Sequence, residues 1–79
     1  MTKIQILGTG CQKCRIMEQQ VRKAAEQLEK KFEITKVEKI DEILKFGVMM
    51  TPALVIDGDV KIIGKSPGVE KLKKILGEL

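Results

Sequence analysis

The sequence predicts an α/β domain of order βαβαββα, a four-stranded mixed sheet flanked by three helices, and three observations carry that reading. Apolar residues recur every three to four positions from Gln12 to about Lys31, directly after the short Ile-rich run Lys3 to Leu7. Asp57-Gly58-Asp59 separates two apolar runs, the strongest short-range hairpin signal in the chain. Val69 to Leu79 then returns to helical spacing. A right-handed crossover makes the first strand–helix–strand unit a parallel pair, and the hairpin must add antiparallel strands.

Each element has its own local reason. Lys3 to Leu7 is a strand ended by Gly8-Thr9-Gly10, where glycine lets the backbone turn sharply into a helix. In the helix from Gln12 to about Lys31, the residues Cys14, Met17, Val21, Ala24 or Ala25, and Leu28 form one apolar stripe. Phe32 to Val37 is a strand by its β-branched content. Ile40, Ile43 and Leu44, with a stop at Gly47, mark a short helix. Val48-Met49-Met50-Thr51-Pro52 leads into the strand Ala53 to Ile56, and Val60 to Ile63 returns after the turn until Gly64 breaks it. Ser66-Pro67 has the character of an N-cap and first helical position, and Val69, Leu72, Ile75 or Leu76, and Leu79 form the last apolar stripe.

Composition narrows what such a domain could do. Seventy-nine residues, 43% hydrophobic and 33% charged, make one small globular domain over 1–79. The net charge of +4 is spread rather than blocked, with Glu18–Arg22 and Glu26–Lys30 in the spacing of a solvated helix face. With no basic block, no Trp and no Tyr, a nucleic-acid partner is not expected. Apolar runs of a few residues give no membrane span, and Met1 to Gln5 lacks the apolar region of a signal peptide, so a cytoplasmic location is expected. There a Cys pair is catalytic or metal-binding more often than structural.

The chain has two cysteines, Cys11 and Cys14, in Gly8-Thr9-Gly10-Cys11-Gln12-Lys13-Cys14. A thiol at the mouth of a helix meets unpaired backbone N–H groups and the positive end of the macrodipole, which stabilise a thiolate. Lys13 and Arg15 add positive charge; Lys13 reads equally as a tuning residue or an ordinary exposed lysine. Cys14 falls on the buried stripe and Cys11 off its end, so Cys11 is expected to be exposed and reactive and Cys14 shielded. The reading is a dithiol/disulfide redox centre. Two small buried hydrophobes are the plain alternative. A soft-metal carrier of Cu(I) type and a non-catalytic redox-sensing interaction module are the other classes. Met17 reads as core filler first, with a metal or sulfur ligand as its remote alternative. The segment Val48-Met49-Met50 reads as core contacts of a loop, with partner binding as its alternative.

Gly8 to Cys14, and Gly47-Val48-Met49-Met50-Thr51-Pro52-Ala53-Leu54-Val55-Ile56-Asp57-Gly58 with the same element order, resemble the thioredoxin/glutaredoxin fold. The chain is most similar to the small redox-active disulfide proteins of that group, along essentially its whole length. The resemblance implies a thiol-disulfide oxidoreductase with Cys11 as nucleophile, Cys14 as resolving thiol and a redox-active Cys11–Cys14 disulfide, and no bound cofactor. It also implies a cis Thr51-Pro52 bond beside the disulfide; read without it, Pro52 is a strand-start proline. Thr51, Pro52, Gly10 and Met50 are the substrate-binding candidates. The partners so implied are a disulfide-containing protein substrate and a flavoprotein reductase or other dithiol donor, with the domain acting as a monomer.

The chain departs from that pattern in places. Thioredoxins carry Trp before the first Cys and Gly-Pro between the pair; here those positions are Gly10 and Gln12-Lys13. They also place a buried Asp six residues before the first Cys, where it helps deprotonate the second thiol, and the same count from Cys11 gives Gln5. An amide cannot accept that proton. Neither the Pro nor the Tyr of the glutaredoxin Cys-Pro-Tyr-Cys is present, so glutathione dependence is not implied.

Overall fold

A computed structural model describes residues 2–10, 12–65 and 67–78. Its elements run β1 (Thr2–Leu7), α1 (Gln12–Gln27), β2 (Phe32–Val37), α2 (Ile40–Lys45), β3 (Ala53–Ile56), β4 (Asp59–Ile63) and α3 (Val69–Gly77). The four strands form one mixed sheet in the order β2-β1-β3-β4. β1 pairs parallel with β2 and antiparallel with β3, and β3 pairs antiparallel with β4. This is the βαβαββα arrangement expected from the sequence.

Burial follows from that order. The inner strand β3 is buried at all four positions, as a strand covered on both faces must be. On one face Ile4, Ile6, Leu54, Ile56 and Ile62 pack against Met17, Val21 and Ala24 of α1 and Leu72 and Leu76 of α3. On the other, Leu7, Val37, Ala53 and Val55 meet Ile43 of α2 and the buried Val48. Each fully buried Leu, Ile, Val or Met side chain contributes about 1.5–3 kcal/mol relative to exposure.

Asp57 and Gly58 form a two-residue hairpin loop with φ of 49° and 88°. Two positive values in succession are those of a type I′ turn, whose twist suits the flanking strands. Asp57 also binds this hairpin to β1: its N–H donates to Lys3 O at 2.8 Å, and its Oδ1 accepts from Lys3 N at 2.9 Å.

Two helix boundaries differ from the sequence reading. α1 stops at Gln27 rather than near Lys31, because Glu29 takes a left-handed φ of 56° and its N–H turns back to Glu26 O. α3 opens at Val69 with Gly68 as its N-cap; Ser66 and Leu79, proposed as the cap and last apolar position, lie outside the described residues. The Gly68 N–H donates to Gln20 Oε1 at 3.1 Å, which fixes the start of α3 to α1. In α2 Ile43 alone is buried, while Ile40 and Leu44 face outward.

Candidate active site

β1 and β2 run parallel, so their C-terminal ends lie at the same edge of the sheet. The loop after β1 and the residues after Val37 are therefore neighbours, and the Gly8 N–H donates to Val37 O at 2.9 Å, extending the ladder past Leu7. Helix α1 starts from this edge. Its first turn holds no acidic residue to offset the positive end of its dipole.

Cys14 is buried in that first turn, on the stripe that continues through Met17 and Val21. Its side chain sits against Gly8. A Cβ built on Gly8 would stand 2.9 Å from the Cys14 Cβ and would also collide with its Sγ. Gly8 thus serves here as space for the sulfur. Gly10 does the turning expected of both glycines, with φ of 87°. Cys11, the expected nucleophile, lies outside the described residues; in sequence it stands directly before Gln12, where α1 opens. Lys13 is exposed on the first turn.

A cavity of about 120 Å³ lies beside Cys14, lined by Ile6, Gly8, Gly10, Arg15, Glu18, Lys36 and Glu38 as well. Glu18 is one helical turn beyond Cys14 and carries two ion pairs, to Arg22 at 3.1 Å and Lys36 at 3.5 Å. Glu38 follows β2, and its Oε2 is 3.9 Å from where a Gly10 Cβ would stand. The sequence reading takes Glu18 only as half of a solvated pair with Arg22 and gives Lys36 and Glu38 no role. The signal was there: Glu18 shares a helix face with Cys14, and Glu38 follows a strand parallel to the one that leads to Cys11.

Gln5 is elsewhere. It lines a separate hollow with Val37, Glu42, Lys45 and Phe46, whereas the β1 residue facing the Cys14 cavity is Ile6. The sequence count to Gln5 therefore reaches the wrong face of the sheet, since neighbouring strand residues point to opposite sides.

The second motif reaches the same end of the molecule. The Thr51–Pro52 peptide bond is cis, and Pro52 O accepts from the Gly64 N–H at 2.8 Å. Pro52 is buried and Thr51 half-buried; among the described residues no hydrogen bond engages Thr51. Thr51 and Thr9 line one open groove of about 270 Å³ together with Ile40, Leu44 and Met49. Met49 is 89% exposed and Met50 62% exposed, so in Val48-Met49-Met50 only Val48 is a core contact. Among the described residues, no group of three or more His, Cys, Asp or Glu is placed to hold a metal ion, and no helix is long and apolar enough to cross a membrane.

Comparison with known proteins agrees with this geometry. The chain is 42% identical over 76 residues to a thioredoxin of Methanothermobacter thermautotrophicus, covering 96% of this chain and 99% of that one. It is 41% identical over 76 residues to a thioredoxin of Methanocaldococcus jannaschii, covering 96% and 87%. Among solved structures, the thioredoxin-2 of a malaria parasite superposes with a TM-score of 0.77 over 100% of this chain and 84% of its own, at 15% identity, a likeness of fold. The family model described as a thioredoxin domain matches residues 2–77, and the chain belongs to that family.

Proposed function

We propose that this protein is a thiol-disulfide oxidoreductase that exchanges electrons with protein or small-molecule disulfides through Cys11 and Cys14. The observation that carries the reading is the placement of Cys14, buried in the first turn of α1 against a glycine that leaves room for its sulfur. The kinship with thioredoxins supports redox chemistry for the chain as a whole. The absence of acidic residues from the first turn of α1 favours a thiolate at Cys11 just ahead of it.

The Cys11 thiolate attacks one sulfur of the substrate disulfide, forming a mixed disulfide and releasing one substrate thiolate. Cys14 then attacks the Cys11 sulfur. The Cys11–substrate bond breaks, the Cys11–Cys14 bond forms, and the second substrate thiolate leaves. The substrate disulfide gains two electrons and the protein dithiol loses them. A flavoprotein reductase or another dithiol restores the reduced pair. Thr51, with no hydrogen-bond partner among the described residues, offers its backbone to an extended substrate segment between its chain neighbours Met50 and Pro52, while Gly10 lines the Cys14 cavity. The fold favours no Cu(I) carrier, since that class orders its elements βαββαβ, whereas here a helix, α2, stands between the second and third strands.

The deciding experiment is alkylation rate against pH on reduced, metal-free protein. Cys11 should titrate below the free-thiol value of about 8.5 and react far faster than Cys14. Cys11→Ser should abolish disulfide reduction, and Cys14→Ser should trap a mixed disulfide with the substrate. Reduction that survives Cys11→Ser would refute the assignment.

A further inference from the structure

Resolving the mixed disulfide requires that Cys14, a buried thiol, lose its proton. Within β1 nothing can take it: Ile6 faces the Cys14 cavity and Gln5 lies on the other side of the sheet. The cavity nevertheless holds two carboxylates. Glu18 is engaged by Arg22 and Lys36 together. Glu38 enters neither of the ion pairs found among the described residues, and its Oε2 lies over Gly10, the residue before Cys11. A cavity of about 120 Å³ with polar lining has room for water between carboxylate and sulfur.

We infer that Glu38 is the proton acceptor for Cys14 in the second step of the reaction, a role supplied from the end of β2 rather than from β1. The inference rests on the oxidoreductase reading above. The Cys14 S–H bond gives up its proton, through cavity water, to the Glu38 carboxylate; the sulfur keeps the electron pair and attacks Cys11. The departing substrate thiolate or solvent then takes the proton from Glu38, so the carboxylate is restored and no outside oxidant is needed. The charged groups around this path are Arg15 and Glu18 from α1, and Lys36 and Glu38 from β2 and its end, while β1 and its loop contribute the non-titrating Ile6, Gly8 and Gly10.

A single-turnover reaction with an aryl disulfide whose thiolate product is coloured tests this. The first coloured equivalent reports attack by Cys11 and the second reports resolution by Cys14; Cys14→Ser should stop after the first. Between about pH 6 and 8 an ordinary carboxylate is ionised and an ordinary thiol is not. With a base at hand, the wild-type second step should change little with pH across that window. In Glu38→Gln it should rise about tenfold per pH unit, run about 10³-fold slower than wild type at pH 6, and approach wild type near pH 9. Removing a negative charge would by itself favour the Cys14 thiolate and speed this step, so slowing distinguishes proton transfer from a charge effect. A wild-type rate in Glu38→Gln, an equal slowing at every pH, or the pH slope appearing in Glu18→Gln instead would overturn the role of Glu38 while leaving the first equivalent intact. A wild-type protein that releases no second equivalent would overturn the oxidoreductase reading, and this inference with it.

Discussion

At Gly8 an added methyl group would stand 2.9 Å from the Cys14 Cβ, and Gly8 itself is buried. Neither neighbour can give way cheaply, because the Cys14 backbone is held in α1 and Gly8 is bonded to Val37 O. Overpacking of this kind costs about 1–3 kcal/mol. Gly8→Ala should therefore lower the unfolding free energy by that amount, read as a lower urea midpoint at unchanged slope. It should also slow the second equivalent in the aryl disulfide reaction more than the first, because the displaced sulfur is that of Cys14. Equal slowing of both steps would place the clash elsewhere. At Gly10 the cost is of another kind, since an added Cβ would make only an ordinary contact with Glu38 Oε2 but φ is 87°, a region that costs an L residue about 1–2 kcal/mol. Both glycines looked alike in the sequence. A backbone turn can be read from Gly-Thr-Gly, but a sulfur packed against one of them depends on where a helix docks.

The hairpin shows the same division at the scale of an element. Asp57-Gly58 announced its turn because few residues tolerate two left-handed conformations in succession. The β4 pairing was less legible. Alternation would put Val60 and Ile62 on one face, yet Leu54 pairs with Ile62 and Val55 with Val60, so Lys61 is an extra residue in the strand. That bulge sends Ile62 to the α1/α3 side and Val60 to the α2 side. A period of two cannot reveal an inserted residue when both neighbours are apolar. The apolar pattern of α2 marked its helix but not which way each residue faces, since Ile40 and Leu44 border the groove beside Thr51 and not the core. Asp57 carries the prediction at this scale. Asp57→Ala removes the acceptor of the Lys3 N–H and places Ala at φ of 49°, which together should cost about 1–3 kcal/mol. Asp57→Asn keeps both an acceptor and tolerance of that conformation, and should cost less than half as much in urea unfolding. If the two variants unfold together, the turn is not anchored through this side chain.

Over the whole molecule, α1 and α3 share one face of the sheet and α2 has the other, and the candidate site lies where the first layer meets the C-terminal ends of β1 and β2. The element order and strand directions were legible because each rests on a local rule: periodicity, crossover handedness, turn chemistry. The Cys14 cavity was not, because Glu18, Lys36 and Glu38 come together only when α1 lies across the sheet. Seating α1 is thus a condition for the chemistry, and α3 is its neighbour in the same layer. Leu72 is fully buried there. A chain of 79 residues has a stability of about 4–12 kcal/mol, and removing a buried Leu side chain costs about 2–5 kcal/mol. Leu72→Ala should therefore remove a large part of the total while leaving the surface beside Thr51 untouched. If both layers form one cooperative unit, far-ultraviolet circular dichroism and Cys14 alkylation should report the same, lowered urea midpoint with an unchanged slope. Cys14 becoming reactive well before the helices melt would show that α1 leaves the sheet on its own. The active-site edge would then open independently of the α2 side.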